Sequence, residues 1–414
     1  MKTLPATVFA MFGAGLVAIS YGLARFAFGL YVPPIRDELS LGPGEIGLVG
    51  AMPLVSFVLA TLAAPLAADR LGARNAATLS AAFGVGGLAL ISQASDAQSL
   101  VIGVFACGLC TGLMMPALTA GMQALVSRSM HGRVSSVMNA GTSVGVMLAV
   151  PAVVLLGSAW RLAYVSFAGL AALGLFAAWL VLPSVSRLTP AEAASPPPIT
   201  RLQWSRLLWL SLFAFIMGLL SAAYWVFAPD LVVSAGVLAP SMTGWLWFAV
   251  GVAGLGGALI ADLADRNNPP ITHALMLTLL AASLSLLAAS PGHLVIALFS
   301  ALVFGLAYMS LTGLYLMTSI RLLPGRLSMG PVLPFIAVSI GQAVGSPLVG
   351  LLVGRIGYAD AFSLLSAIGI LLALLSPLYP RDLADLSADA PEDTGLQAAF
   401  DSQLGPGEES QPHA

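Results

Sequence analysis

Arg25 is the residue in this sequence whose position most demands an explanation. It lies in Tyr21-Gly22-Leu23-Ala24-Arg25-Phe26-Ala27-Phe28-Gly29-Leu30-Tyr31-Val32-Pro33, inside an apolar run that begins near residue 7. An arginine at the centre of a membrane helix costs about 2.5–3.5 kcal/mol on insertion scales, and it is tolerated where it faces a wet cavity or meets an anion. Tyr21, Arg25 and Phe28 fall at i, i+4 and i+7 and share one helix face. Eight residues, about 12 Å of helix, separate Arg25 from Pro33 and place it in the outer half of the run. An anion contact is the expected role. A side chain that snorkels to the interface, or one that bonds to carbonyls of a neighbouring helix, is the alternative.

Other polar side chains within apolar runs extend the candidate site. Tyr308, Thr312 and Tyr315 repeat at i, i+4 and i+7, and further runs carry Ser221, Tyr224 and Trp225, then Asn139, Thr142 and Ser143, then Ser339, Gln342 and Ser346. Single Ser, Thr and aromatic residues in membrane helices mostly serve packing or the interface belt. Asn139 and Gln342 cost more to bury and carry more information, followed by Tyr308 and Tyr224. The expected substrate-binding set is therefore Arg25, Tyr21, Asn139, Tyr224, Tyr308, Thr312 and Gln342.

No Asp, Glu or His falls in the middle of any run. Asp230, beside Pro229, is the one acid near the expected cavity mouth that could serve coupling, and it reads first as a solvated loop residue. His131, His273 and His293 fall in or beside loops, so none reads as a proton relay. Cys107-x-x-Cys110 lies in an apolar run with no further thiol or placed His to complete a metal set, so both read as small packing residues. With no Ser–His pair and no metal or cofactor constellation, an enzyme is not the expectation.

The elements that must position these residues follow from composition. Of 414 residues, 58% are apolar and 8% charged, against about 25% charged in an ordinary soluble domain. That excludes a soluble enzyme, and a net charge of −2 with no basic block excludes a nucleic-acid binder. Twelve apolar runs, each close to the length of a spanning helix, lie near 7–32, 46–68, 75–93, 99–125, 134–157, 162–182, 207–229, 241–262, 271–290, 294–318, 329–353 and 361–379. They lack the period-2 alternation of barrel strands. With both termini cytoplasmic, twelve of the 16 Lys and Arg lie inside, Arg36, Arg161 and Arg355 lie outside, and Arg25 is left in the membrane. The expected fold is an all-α membrane protein of twelve helices: a first half over 1–182, a cytoplasmic linker over 183–206, a second half over 207–380 and a disordered acidic tail over 381–414.

The two halves repeat. A shift of 196 places Pro33 on Pro229 and Asp69-Arg70 on Asp265-Arg266, and a nearby shift pairs Gly112 with Gly305. Gly141-x-x-x-Gly145 in the fifth run matches Gly341-x-x-x-Gly345 in the eleventh. Two parallel six-helix repeats are a transporter architecture, with the substrate site between them near mid-depth.

Leu66-Ala67-Ala68-Asp69-Arg70-Leu71-Gly72-Ala73-Arg74, between the second and third runs, resembles the signature loop of the major facilitator superfamily, Gly-x-x-x-Asp-Arg/Lys-x-Gly-x-Arg/Lys, with Pro65 in place of the leading Gly. The resemblance covers about residues 5 to 380. It implies that helices 1, 4, 7 and 10 line the cavity and that Asp69, Arg70, Gly72 and Arg74 form a cytoplasmic gating latch. Asp69 would sit against the start of helix 11 near Met329 to Val332, Gly72 would make the turn, and both arginines would stay at the lipid headgroups. The first-helix segment resembles a subgroup of bacterial permeases with an Arg-Phe-Ala-aromatic stretch followed by Pro. Two departures stand out: helix 4 has no Arg between Val104 and Gly112, and Val146 stands where the family's antiporter motif has Pro. Together these imply a monomeric secondary transporter in the bacterial cytoplasmic membrane, needing no cofactor and contacting lipid. Arg25 in the membrane, with no buried carboxylate, points to a small organic or inorganic anion moved by exchange or with a coupling proton. A proton-coupled efflux pump for amphipathic compounds is the alternative, supported by Met114, Met115, Trp225 and Trp247.

Overall fold

The computed structural model describes residues 5–184, 199–236, 238–323 and 329–380. Among them the chain is helical, without strands. Ten helices are long and apolar enough to cross a membrane, and two further details bring the bundle to the twelve helices of the sequence. They run α1 (Ala6–Leu30), α2 (Pro43–Ala67), α3 (Arg70–Ser92), α4 (Ala97–Leu125), α5 (Arg128–Leu156), α6 (Trp160–Val181) and α7 (Arg201–Ser234). Next come α8 (Thr243–Asn267), which is the first addition, α9 (Pro269–Ala289) and α10 (Leu294–Leu322). The last helical stretch, Met329–Leu374, breaks at Gly357 into α11 (residues 329–356) and α12 (residues 358–374). Residue 5 and residue 380 mark the terminal end of the bundle, and the α1–α2 and α7–α8 connections mark the far end. Leu173, Phe176 and Leu371 are among the large apolar side chains left exposed on the outside, where lipid belongs.

The repeat is built from glycine-to-carbonyl contacts. Gly141 and Gly145 of α5 lie on the carbonyls of Ala14 and Ala18 in α1, and Gly341 and Gly345 of α11 lie on those of Phe215 and Leu219 in α7. Likewise Gly112 of α4 faces the Phe57 carbonyl of α2, and Gly305 of α10 faces the Val250 carbonyl of α8. With no side chain, the two helix backbones touch, which is how membrane helices gain dispersion contact without a hydrophobic driving force. Contacts between the two sets of six helices run from mid-depth to the far end. Gly47 and Gly50 of α2 meet Ser346 of α11, Gly251 of α8 meets Ser143 and Met147 of α5, and Gly29 of α1 meets the Trp225 carbonyl of α7. The bundle is therefore closed at its far end.

Three connections refine the expected topology. Residues 201–206, expected in the linker, are the first turns of α7: Thr200 accepts from Gln203 N–H at 3.2 Å while Gln203 Oε1 accepts from Thr200 N–H at 2.8 Å. This reciprocal cap satisfies two otherwise unpaired donors. Arg74 does not reach outward. Its Nε donates to the Leu182 carbonyl at 2.7 Å, capping the C-terminal end of α6 where a cation is favoured. The expected tail and residues 185–198 of the expected linker lie outside the described residues.

Gly72 turns the chain from α2 into α3 with φ 75° and ψ 167°, and Gly357 turns α11 into α12 with φ 81° and ψ 171°. That region of backbone space is open essentially only to glycine, and forcing another residue into it costs about 1–3 kcal/mol. Gly72→Ala and Gly357→Ala are each expected to lower the thermal midpoint of the detergent-purified protein, whereas Gly86→Ala, an open helical position, is not. A midpoint unchanged in both turn variants would show that these turns relax freely.

Candidate functional site

Arg25 sits where α1 is not a regular helix. Residues Ala18–Phe26 form a π-helical stretch in which the Ala27 N–H bonds to the Gly22 carbonyl, five residues back. Such stretches concentrate at functional sites because they widen the helix and re-aim its side chains. Across the cavity α7 does the same over Ala223–Phe227, so the repeat extends to this irregularity. The carbonyl of Phe26, at the end of the first stretch, accepts from the indole N–H of Trp247 in α8 at 3.1 Å.

The Arg25 side chain is 9% exposed and points between the two sets of helices. Its Nη2 donates to Gln342 Oε1 at 3.0 Å and to Ser339 Oγ at 3.3 Å, both on α11. Two aromatic faces flank the guanidinium, Phe57 at 4.7 Å and Phe26 at 5.1 Å. Neutral hydrogen bonds and ring quadrupoles orient a cation, at about 0.5–2 kcal/mol for each ring, but they do not cancel its charge. No carboxylate pairs with Arg25 among the described residues, and its Nε–H has no hydrogen-bond partner. The site is a buried, oriented and uncompensated positive charge.

Gln342 organises the groups around it. While its carbonyl oxygen holds Arg25, its Nε2 donates to Ser221 Oγ of α7 at 3.2 Å and to Tyr308 OH of α10 at 3.1 Å. One amide thereby ties α1, α7, α10 and α11 together. A cavity of ≈ 30 Å³ opens beside Arg25 and Gln342, with walls from Phe26, Phe28, Leu54 and Trp225. Room for a water centre needs about 10–15 Å³, so this polar corner of an apolar chamber admits water-sized ligands in the closed state. Phe26 and Trp225 pack in a tilted pair across the interface of α1 and α7 at 4.2 Å, and Tyr308 meets Trp225 edge-to-face at 5.3 Å.

Of the expected substrate-binding set, the fold gathers Arg25, Gln342 and Tyr308. Tyr21 is half-buried against the edge of Phe57, one turn along α1. Tyr224 faces away: its hydroxyl meets Ser300 Oγ at 3.1 Å and its ring stacks on Phe304. Thr312 bonds back to the Met309 carbonyl, and Asn139 is exposed on α5. Ser339, weighed only as one of several serines, touches Arg25 directly. Phe57 carried no signal, because an aromatic residue in an apolar run looks like any other. Of the latch residues, Arg70 is exposed and Gly72 makes the turn; the side chains of Asp69 and of residues 329–331, where its contact was expected, lie outside what is described.

Two titratable groups differ from expectation. Asp230 is not a solvated loop residue: it is 1% exposed in α7, and its Oδ2 accepts from Arg36 Nη1 at 2.7 Å and from the Tyr358 hydroxyl. His273, expected beside a loop, is fully buried in the first turns of α9, with Tyr315 OH 3.0 Å from Nε2 and Ser376 Oγ 2.8 Å from Nδ1. Both were misplaced because burial here is decided by helices remote in sequence. Cys107 and Cys110 are buried against Gly87 and Gly84, and no metal-binding cluster of His, Cys, Asp or Glu occurs among the described residues. At the far-end surface, Glu38 accepts from Arg161 Nε at 2.9 Å and Trp160 Nε1 at 2.6 Å. The Arg161 hydrogen bond, with help from Trp160, holds the Glu38 carboxyl below its usual range.

The sequence profile of the Major Facilitator Superfamily matches residues 14–329. No curated protein matches the sequence. Among solved structures, the D-xylose–proton symporter aligns with TM-score 0.72 and 16% identity, covering 91% of this chain and 98% of its own. The nucleoside transporter NupG aligns with TM-score 0.71 and 13% identity, covering 91% and 99%. A bacterial homologue of the human lysosomal transporter Spinster, in an inward-facing and unoccupied conformation, aligns with TM-score 0.71 and 13% identity, covering 91% and 97%. At these identities the likeness is one of fold.

Proposed function

The chain belongs to the major facilitator superfamily, and on that premise we propose that it is a secondary active transporter of small anions, working by alternating access rather than as an enzyme. The observation that carries this reading is Arg25, a buried cation with an unpartnered Nε–H and no counter-ion among the described residues. A substrate carboxylate entering the cavity supplies the missing charge. Charge-assisted hydrogen bonds of that kind contribute about 1.5–3 kcal/mol each, enough to hold a small ligand and weak enough to release it. The site offers one cation, so it favours a single negative charge, and its aromatic walls favour an apolar body next to it. Nucleosides and D-xylose, named for the structural neighbours, are uncharged sugars or sugar derivatives, and they give no use for such a cation.

The distribution of basic residues supports a terminal end facing the cytoplasm of a bacterial inner membrane. The far end, closed here, then faces outward. A carboxylic acid that brings its own proton, or exchange of one anion for another, provides the driving force. The alternative, efflux of amphipathic compounds, is favoured by the aromatic walls alone.

The test is uptake into proteoliposomes of benzoate, acetate, cyanate and a cationic dye, with and without a proton gradient. Uptake of one or more of the anions is expected, and in Arg25→Ala it should fall by about 10–100-fold, the equivalent of one or two lost charged hydrogen bonds. Arg161→Ala, remote from the cavity, should retain it. Dye transport that survives Arg25→Ala, with no anion flux in the parent, would select the efflux reading.

A further inference from the structure

The group that the proposed chemistry leaves unused is Asp230. It stands on α7 one turn beyond Trp225 and Val226, which line the cavity, and its carboxylate is buried. Its two oxygens are treated unequally. Oδ2 receives Arg36, from the short helix Val32–Leu39 that continues α1, and the Tyr358 hydroxyl, from the start of α12. Oδ1 is buried and has no hydrogen-bond partner. One carboxylate oxygen thus fastens the far end of the first set of helices to two helices of the second, while the other is left in an apolar surrounding where an ionised group is poorly solvated.

We propose that Asp230 is a proton-binding site, and that a proton taken up there from the far side unlocks the far mouth of the cavity. Ionised, the buried Asp230 holds the partly exposed Arg36 in an ion pair, and Tyr358 donates to the same oxygen. When a proton moves from far-side water to Oδ1, the carboxyl becomes neutral, Arg36 loses its buried counter-ion and turns out to water, and Tyr358 keeps its own proton. The ion pair between the two sets is then gone, and of the described contacts near that end the Trp247 N–H bond to the Phe26 carbonyl remains together with the apolar ones. Loss of the proton to the far side restores the pair and closes the mouth.

The neighbouring charges fit this assignment. Asp37 lies 3.2 Å from Arg36 on the outer side and is exposed, so it offers the released guanidinium a solvated partner. Glu38, next in sequence, is occupied by Arg161 and Trp160. On α7, Ser234 bonds to the Asp230 main-chain carbonyl and leaves the carboxylate alone. Arg355 and Asp360, on either side of Tyr358, are exposed and make no ion pair with Asp230. Among the described residues, Arg36 is thus the one cation that pairs with the carboxylate.

This site goes beyond the anion reading and holds whatever solute the cavity carries. Its test therefore needs neither solute nor Arg25, and the two proposals fail separately. With Cys107 and Cys110 replaced by Ala, a reporter is placed in the cavity wall as Val226→Cys, and in a parallel chain on the exposed far-end turn as Ser158→Cys. Both are labelled by a membrane-impermeant maleimide in vesicles whose far end faces the bath. The ratio of the two labelling rates, which removes the reagent's own pH dependence, is expected to rise about tenfold between about pH 7.5 and about pH 5.5. In Asp230→Asn the ratio should be high at both, in Asp230→Glu it should still respond to pH, and Arg36→Gln should match Asp230→Asn even if the latter does not fold. A flat ratio in the parent overturns the proposal, as does an unchanged pH response in Asp230→Asn or Arg36→Gln.

Discussion

Gln342→Glu is expected to yield a protein that is more heat-stable than the parent and at least about 100-fold slower in anion uptake. In the parent, Arg25 meets the amide oxygen of Gln342 at 3.0 Å and carries an unbalanced charge. A carboxylate in that place supplies the counter-ion permanently, so the site is filled by its own wall. The change is tolerated because the other two partners are hydroxyls. Ser221 and Tyr308 accept from the Gln342 amide; the Tyr308 hydroxyl can turn its own proton to a carboxylate instead, and Ser221 can do so by giving up its bond to the Gly218 carbonyl. Gln342→Leu is the contrasting variant. It removes a charged hydrogen bond without replacing the charge, so stability should fall by about 1.5–3 kcal/mol. Thermal unfolding in detergent and uptake of labelled benzoate read both quantities. Parent-like uptake in Gln342→Glu would mean that Arg25 does not serve the substrate.

The second large effect separates two glycines that look alike in sequence. A methyl group at Gly341 would meet the Phe215 carbonyl oxygen and, at 3.0 Å, the Leu219 nitrogen. Both belong to α7, which stays with α11 if each six-helix set moves as a unit. Gly341→Ala is therefore expected to cost about 1–3 kcal/mol, the usual range for overpacking, and to lower the yield of folded protein. A methyl group at Gly29 would meet the Trp225 carbonyl and, at 3.2 Å, the Trp247 ring. That contact lies between the two sets, and parting the far mouth relieves it. Gly29→Ala should keep the parent's stability and raise far-side labelling of the Val226→Cys reporter at neutral pH, because a wedge shifts the population toward the open state. Equal loss of stability in the two variants would show that the far-end interface is as fixed as the helix pairs within each set.

Much of the bundle was legible in one dimension. The twelve runs, their alternating flanking charges and the Gly141/Gly341 and Gly112/Gly305 matches anticipated helices whose glycines do lie on equivalent carbonyls. Such features are local: a run length, a residue type, a spacing. Within the site, the odd charge Arg25 and the costly amide Gln342 were identified by the same reasoning, because polar groups in lipid must be satisfied somewhere. The i, i+4, i+7 rule was less reliable. It grouped Tyr308, Thr312 and Tyr315, yet Tyr308 joins Gln342 while Tyr315 meets His273 in a separate cluster. Asp230 was placed in solvent because Pro229 beside it suggests a helix end, while Arg36 and Tyr358 bury it from 194 and 128 positions away.

What the sequence determined by itself was membrane residence, helix number, the repeat and the one charge without a topological use, since each depends on the transfer cost of residues taken in order. Only the tertiary structure decided where that charge is spent. Arg25 and Gln342 are 317 positions apart and meet because glycine faces let α1, α7 and α11 close on one another. The π-helical stretches that aim α1 and α7 into the cavity carry no composition of their own. They form where neighbouring helices hold them, as α4 and α5 of the same set do around Ala18–Phe26, and that tertiary packing stabilises a backbone that an isolated helix would not adopt.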